Sequence, residues 1–334
     1  MLKCNCLHLI VSFDSIMNPP YEITPAILKL VSSISEQLGI IKATHLIKPQ
    51  TELRKKNTIK TIQSSLEIEG NTLTVEQITA LVDNKRVMAP AKDIQEVKNA
   101  IQVYDNIKNY KLDSVKDFKK AHLALMKHLI DSPGEFRKTE VGVVKGSRVQ
   151  HLAPPGEMVN GLMTDLFKYL KQNDEIPLIK SCVFHYELEF IHPFIDGNGR
   201  MGRLWQTIIL MNYNFVFQYL PIEWIIKERQ DQYYKSLSIS DKTGQATPFV
   251  EFMLQVINEA LEIALNSQRP ALSKNDRLMI FKESNKNSEF SRQDYLKHFK
   301  EISSATGSRD LKFAVEEGII QKSGYKRMTK YNYN

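Results

Sequence analysis

Apolar residues recur three or four positions apart through most of the first 267 residues of this 334-residue chain. The first such stretch opens with Thr24-Pro25, a cap followed by proline at the first helical position, and continues to about residue 42. This spacing places the apolar side chains on one face of a helix, so the pattern predicts a mainly α protein. The later helical stretches cover about residues 56–69, 74–82, 93–107, 115–130, 159–170, 178–190, 204–210, a helix from 223 that includes 233 and 234, and 248–266.

Two parts of the chain depart from the helical pattern. Residues 141–144 and 148–152 read as strands on either side of the turn Lys145-Gly146-Ser147, which predicts a short β-hairpin. After a linker at 268–272, three short helical patterns (about 275–284, 291–300 and 304–317) precede a strand, a turn and a strand. That order resembles a winged helix, a small α+β fold. The expected parts are therefore an N-terminal helical region (18–90), a helical core (91–267) and a winged-helix-like domain (268–334).

Composition narrows the class of protein. Hydrophobic residues make up 42% of the chain, enough for a core, and the formal net charge of +7 favours anionic ligands or nucleic acid without deciding between them. No apolar run approaches the roughly 18–20 residues of a membrane span. The three cysteines are too few for a disulfide framework, which favours a cytoplasmic location. Residues 1–17 read as an extension, and we expect Met17 to be the native start.

Residues suited to catalysis and to anion binding are most concentrated in the stretch from His192 to Arg203. Gly197-Asn198-Gly199 lets backbone N–H groups converge on an anion, at the N-terminus of the helix predicted to follow. Arg200 and Arg203 share one face of the first turn and can grip phosphate oxygens. Asp196 is a ligand of the kind that Mg²⁺ uses beside substrate phosphates, and a histidine such as His192 suits a general base. A polar capping loop explains any one of these residues, but the whole set favours phosphate chemistry.

This stretch, H-P-F-I-D-G-N-G-R-M-G-R, resembles the Fic (filamentation induced by cAMP) motif at every fixed position. The resemblance implies an all-helical Fic core with the hairpin as a flap over the active site. It also implies a protein adenylyltransferase (AMPylase), which moves AMP from ATP to a Tyr, Ser or Thr hydroxyl of a protein. The implied roles are general base for His192, Mg²⁺ ligand for Asp196, grip on the α- and β-phosphates for Gly197-Asn198-Gly199 and Arg200, and grip on the γ-phosphate for Arg203.

The same resemblance implies partners and further contacts. A target protein would pair with the flap, residues 141–152, by strand addition, and self-modification is an option. A tyrosine after the motif, Tyr233 or Tyr234, would contact the adenine. His122 and His128 lie outside the motif and are expected in the core or at the surface. Whether the chain forms a homodimer stays open.

A carboxylate interrupts the apolar stripe of the helix at about 56–69. The stripe consists of Ile59, Ile62 and Leu66, and Glu69 takes the next position of the same face. A glutamate there needs a cation or hydrogen bonds, unless it lies near solvent at a frayed last turn. Ser65-Leu-Glu-Ile-Glu69-Gly70 resembles the Fic inhibitory motif, (S/T)-x-x-x-E-(G/N). That resemblance implies that Glu69 pairs with Arg203 and leaves ATP misaligned.

Other functions stay open. A Fic-fold kinase has Ala-Asn-Lys in place of Gly197-Asn198-Gly199, so the glycines favour AMP transfer, although transfer of UMP or phosphocholine also fits the motif. With Glu69 positioning a water, the enzyme would remove AMP instead. From a different class, the chain would be a DNA-binding regulator with a sensory Fic domain: basic residues outnumber acidic ones in 270–334, and Arg309 and Lys312 lie on the third helix of that domain. Protein contacts through a winged helix are equally compatible.

Overall fold

The computed structural model describes residues 20–43, 51–145, 148–172, 174–268, 273–285, 289–300, 302–324 and 329–333. The chain forms two compact units, Met1–Ser267 and Gln268–Asn334. The predicted extension, residues 1–17 with Met17 at its end, lies outside the described residues.

The first unit is mainly α-helical, as the apolar spacing predicts. Thr74 and Gln77 form a capping box at the start of one helix, and the Ser114 side chain caps another. The helices are α1 (Pro25–Ala43), α2 (Thr51–Ile68), α3 (Val75–Val82), α4 (Ala91–Asp105), α5 (Val115–Leu125), α6 (Val159–Lys171), α7 (Pro177–Ile191), α8 (Asn198–Tyr213), α9 (Ile222–Glu228), α10 (Gln230–Thr243) and α11 (Thr247–Gln268). Between α5 and α6 lies the predicted hairpin, β1 (Gly142–Lys145) paired antiparallel with β2 (Arg148–Leu152).

Two helices differ from their predicted extents. The helix predicted over 115–130 ends at Leu125, and His128 then adopts a left-handed backbone (φ 64°) that a right-handed helix does not accommodate. The helix predicted from 223 through 234 is two helices, because Arg229 (φ −115°, ψ 31°) leaves the helical region between α9 and α10. Each of these two helices buries its own face, through Ile225 and Ile226 on α9 and Tyr233 on α10.

Helices α7 and α8 lie at the centre of the core. Most of α7 from Leu178 to Ile191 is buried, and α8 is buried over nearly all of Asn198 to Leu210. Trp205 of α8 is fully buried and meets the Phe118 ring edge-on at 4.9 Å between centroids. The loop that joins these two helices holds the candidate motif, so its two ends are anchored in the most deeply buried helices of the unit.

The second unit has its own core and the predicted order of elements. Its helices are α12 (Lys274–Asn285), α13 (Arg292–His298) and α14 (Ser304–Glu316), followed by the antiparallel pair β3 (Ile320–Ser323) and β4 (Lys330–Tyr333). The buried Arg277 of α12 donates two hydrogen bonds to Asp310 of α14, at 2.7 and 2.9 Å. No helix among the described residues of either unit is long and apolar enough to cross a membrane.

Candidate active site

His192 is placed by the end of α7. That helix ends at Ile191, and His192 caps it in the left-handed conformation (φ 48°, ψ 61°), with its N–H donating to the Leu188 carbonyl at 2.9 Å. A residue other than glycine in this conformation is strained by roughly 1–2 kcal/mol. The surrounding contacts stabilise this strained conformation, which turns the chain sharply into the motif loop.

The loop after His192 is locked by Phe194 and Asn198. The Asn198 side chain accepts from the Phe194 N–H and donates to the Phe194 carbonyl, both at 2.9 Å. The Phe194 ring is fully buried and stacks on the His122 ring, with centroids 3.5 Å apart and planes 3° from parallel. Asn198 thus fixes the shape of the loop through its side chain, while its backbone begins α8.

His122 of α5 holds the acidic part of the loop. Its Nδ1 accepts from the Gly134 N–H at 2.8 Å, so its Nε2 carries the proton and donates to the Asp196 carbonyl at 2.9 Å. Burial lowers the pKa of His122 to about 4, so the ring is neutral near pH 7. His122 therefore belongs to the core, as expected, but it also supports the motif loop, which the sequence does not indicate.

The turn into α8 has the form of an anion nest. Gly197 lies in the left-handed region (φ 87°), and a side chain there would meet Met126 Sδ at 2.8 Å, so the position requires glycine. Its N–H donates to Asp196 Oδ1 at 2.6 Å. At Gly199, an added Cβ would lie 2.6 Å from Glu69 Oε1, so the Glu69 carboxylate approaches the backbone of the nest directly.

Arg200 is buried and neutralised inside the unit. Its side chain is 4% exposed, and its two Nη atoms lie 3.3 Å from Glu96 Oε1 and 3.1 Å from Asp196 Oδ1. Glu96 of α4 in turn accepts from the Asn71 amide at 2.8 Å. Sequence reasoning missed Glu96, which has no motif around it and stands on an otherwise ordinary amphipathic helix. Direct phosphate contact by Arg200 stays a prediction.

Arg203 meets the end of α2. Its side chain is 1% exposed, and Nη2 donates to Glu69 Oε1 at 2.6 Å and to the Ser65 carbonyl at 3.0 Å, while Nε donates to Ser65 Oγ at 3.1 Å. Burial alone would lower the pKa of Arg203, but the Glu69 carboxylate raises it above the ordinary arginine value. The structure therefore brings together Ser65, Glu69 and Arg203, as the resemblance implies.

Glu69 reaches Arg203 because α2 ends one residue before it. The apolar face of α2 is buried, and Gly70 then adopts φ 92°, a conformation that glycine accepts readily, with its N–H donating to the Glu67 carbonyl at 3.0 Å. The Glu69 side chain remains 28% exposed. It is thus neither a core residue nor a frayed surface residue, but a carboxylate at the edge of the site.

The two tyrosines predicted near the adenine occupy different environments. Tyr233 is 1% exposed, its ring lies in an aromatic cluster with Phe249, and its hydroxyl is 3.1 Å from His185 Nε2. Tyr234 is only partly buried, and Glu69 is among the charges that raise its pKa, after burial itself. A base contact by either residue stays a prediction.

Asp196 is the candidate metal ligand. Its side chain is half exposed, and Oδ1 is engaged by Gly197 and Arg200. The described residues hold no cluster of three or more His, Cys, Asp or Glu that could bind a metal by themselves. A single exposed carboxylate fits Mg²⁺ only when substrate phosphates and water supply the other ligands.

Comparisons with known proteins agree with this geometry. A sequence profile of the Fic/DOC family matches residues 111–210. The crystal structure of a Fic family protein from Desulfovibrio desulfuricans G20 is 40% identical, with a TM-score of 0.72 over 95% of this chain and 98% of that one. The chain belongs to the Fic family.

Other relatives extend the Fic assignment. A Fic domain containing signaling protein from Bacteroides thetaiotaomicron VPI-5482 shares the fold at 22% identity, with a TM-score of 0.59 over 70% of this chain and 97% of that chain. The "Protein adenylyltransferase Fic" of Drosophila grimshawi is 30% identical over 247 residues, which is 70% of this chain and 48% of that protein. The chain thus spans about half the length of the curated relatives that it matches.

Proposed function

We propose that this Fic protein transfers AMP from ATP to a protein hydroxyl, and that Glu69 holds this activity low. The observation that carries the proposal is the position of the Glu69 carboxylate. It lies against Gly199, at the N-terminus of α8, and 2.6 Å from the Arg203 guanidinium. An anion therefore already fills a site with the charge and the geometry that phosphate oxygens require.

His192 takes the part of general base in this proposal. It removes the proton from the target hydroxyl, whose oxygen attacks the α-phosphorus of ATP, and the bond from that phosphorus to the β-phosphate oxygen breaks to release pyrophosphate. The rigid turn at the end of α7 fixes the histidine relative to the nest, so alignment supplies much of the rate. Mg²⁺ held by Asp196 together with the phosphates would offset the charge developing on the leaving group.

Arg203 decides whether ATP is held productively. Among the residues that the structure describes, its guanidinium forms a salt bridge with Glu69, and the same donors would serve the γ-phosphate. Glu69 and the γ-phosphate cannot occupy those donors together. Because Glu69 is 28% exposed, it can leave towards solvent, whereas Arg203 is buried and stays in place.

Incubation with ATP labelled at the α-phosphate tests the proposal. We expect weak self-labelling of the wild type, a rise of about tenfold or more for Glu69→Gly, and loss of labelling for Glu69→Gly/His192→Ala. A tenfold rise corresponds to a free-energy difference of only about 1.4 kcal/mol in favour of the state in which Glu69 occupies Arg203. A matched control is Glu67→Ala, which removes a nearby acid that lies within α2 and pairs with Lys227, and which should raise labelling no more than about twofold.

The outcomes separate the rival reactions. Labelling that persists without His192 would overturn the assigned base. Incorporation of label from the γ- but not the α-phosphate would mean a kinase. No incorporation from Glu69→Gly, together with release of AMP from a modified protein by the wild type, would favour the reverse reaction.

A second proposal concerns the C-terminal unit, which we infer contacts DNA through α14. Arg309 and Lys312 are exposed on that helix, while the neighbouring Asp310 and Leu311 are buried. Binding to duplex DNA should weaken steeply with salt and should fall in Arg309→Ala/Lys312→Ala. Binding that is absent at low salt would instead leave protein contacts as the use of this unit.

A further inference from the structure

Arg137 occupies an unusual position just before the flap. The residue is 2% exposed, and its side chain donates to four backbone carbonyls. Nε donates to the His192 carbonyl at 2.7 Å, and Nη2 donates to the Ile191 carbonyl at 3.0 Å. Nη1 donates to the Thr139 carbonyl and Nη2 to the Pro154 carbonyl, each at 2.7 Å.

Two of these carbonyls belong to the end of α7. The last carbonyls of a helix have no partner within it and carry the negative end of its dipole, so a cation is favourable there. Arg137 satisfies the carbonyls of Ile191 and of His192 itself, and its own N–H donates to the Pro193 carbonyl at 2.9 Å. The strained backbone of His192 is therefore held on both sides by one residue.

The other two carbonyls flank the flap. Thr139 precedes β1, and Pro154 follows β2. A second observation shows that the two chain segments are pressed together at this base: a Cβ added to Gly156 would lie 2.3 Å from the Lys138 carbonyl oxygen. Both ends of the flap are thus fastened to one guanidinium.

We propose that Arg137 is a positioning residue that fixes His192 relative to the base of the flap. It touches no reacting atom and acts through the His192 carbonyl. The inference rests on the proposed function, in which His192 removes the proton of the target hydroxyl, and on the expectation from the Fic resemblance that the target pairs with the flap. A displacement of about 1 Å at such a point can reduce a rate by about 100-fold.

The test uses the full chain in the Glu69→Gly background, with the rate of AMP incorporation measured against ATP concentration. Arg137→Ala should lower the rate at saturating ATP by about 100-fold and change the half-saturating ATP concentration less than about threefold, because the phosphate-binding groups of α8 are unaltered. Arg137→Lys keeps the charge but cannot reach all four carbonyls, so its loss should be smaller, about tenfold. The matched control is Arg277→Ala, another buried arginine, in the second unit, which should keep the rate.

A readout without catalysis guards against a variant that merely folds poorly. In hydrogen exchange without nucleotide, Arg137→Ala should speed exchange at residues 139–145 and 192–194 but not across α8. An unchanged rate, an equal loss of rate and of ATP affinity, or exchange that rises everywhere would each overturn the proposal. If Glu69→Gly alone incorporates no AMP, the proposed function fails, and the exchange result still decides whether Arg137 holds the flap and His192 together.

Discussion

Arg200 and Arg203 stand three residues apart on α8, and each guanidinium is buried against a carboxylate from another part of the chain. The partner of Arg200 is Glu96, with a side chain 9% exposed, and the partner of Arg203 is Glu69, with a side chain 28% exposed. Glu96 lies within α4, where it also holds the Asn71 amide. Glu69 lies one residue past the end of α2.

The difference shows how one kind of contact serves two purposes. A carboxylate inside a helix and bonded on two sides cannot leave without exposing Arg200 and Asn71 to an apolar interior, so that pair is part of the scaffold. A carboxylate at a helix end has a path to solvent, and in the proposed function a phosphate of ATP replaces it. We therefore propose that burial of the acidic partner, and not the strength of the ion pair, separates a fixed contact from an exchangeable one.

The strongest test of this comparison is Glu96→Ala. It leaves Arg200 buried without its interior partner, so the free energy of unfolding should fall by about 3–5 kcal/mol. AMP incorporation should fall as well, even in the Glu69→Gly background, because Arg200 also contacts Asp196. Urea unfolding and α-phosphate labelling measure the two effects.

The control for this experiment is Glu36→Ala, which removes an exposed acid from α1. It should change the free energy of unfolding by no more than about 0.5 kcal/mol. If Glu96→Ala raised incorporation in the way expected of Glu69→Gly, then both arginines would be exchangeable and the comparison would be wrong.

The Glu69–Arg203 contact could be predicted from the sequence, and the Glu96–Arg200 contact could not. Glu69 continues the apolar stripe of α2, where a carboxylate needs a cation. The resemblance to the Fic inhibitory motif implies that this cation is Arg203. Both signals are local. The Glu96–Arg200 pair has no such signal, because no motif or spacing in α4 distinguishes Glu96 from a solvated acid.

The same limit applies to His122 and Arg137. The helical pattern places His122 among apolar residues of α5, which predicts burial and nothing more. Its bond to the Asp196 carbonyl depends on how α5 packs against the motif loop. Likewise the bonds of Arg137 go to backbone carbonyls, which every sequence provides, so only the fold reveals which carbonyls it reaches.

The dependence of the free energy of unfolding on pH tests whether His122, like the Glu96–Arg200 pair, is a fixed part of the scaffold. The unfolded chain binds a proton at His122 below about pH 6.5, whereas the buried ring binds one only below about pH 4. The stabilisation is therefore complete above about pH 6.5 and is lost as the pH falls towards about 4, by roughly 3 kcal/mol in total. His122→Gln should flatten that part of the curve of unfolding free energy against pH.

The matched control is His128→Asn. His128 is exposed and has a left-handed backbone that asparagine tolerates, so the slope between pH 4 and 6.5 should stay as in the wild type. An unchanged slope in His122→Gln would mean that other groups carry the pH dependence and that burial of His122 contributes little to it.

The smallest expected effect belongs to Lys227→Ala. Lys227 of α9 lies 3.1 Å from Glu67 of α2, but the two side chains are 31% and 35% exposed, so solvent screens the pair. Its removal should change the free energy of unfolding by less than about 0.5 kcal/mol and raise AMP incorporation by no more than about twofold. Activation as large as that of Glu69→Gly would show that surface contacts between α2 and α9 hold α2, and with it Glu69, in place. The expected small effect would instead support the proposal that ATP must displace the Glu69–Arg203 contact.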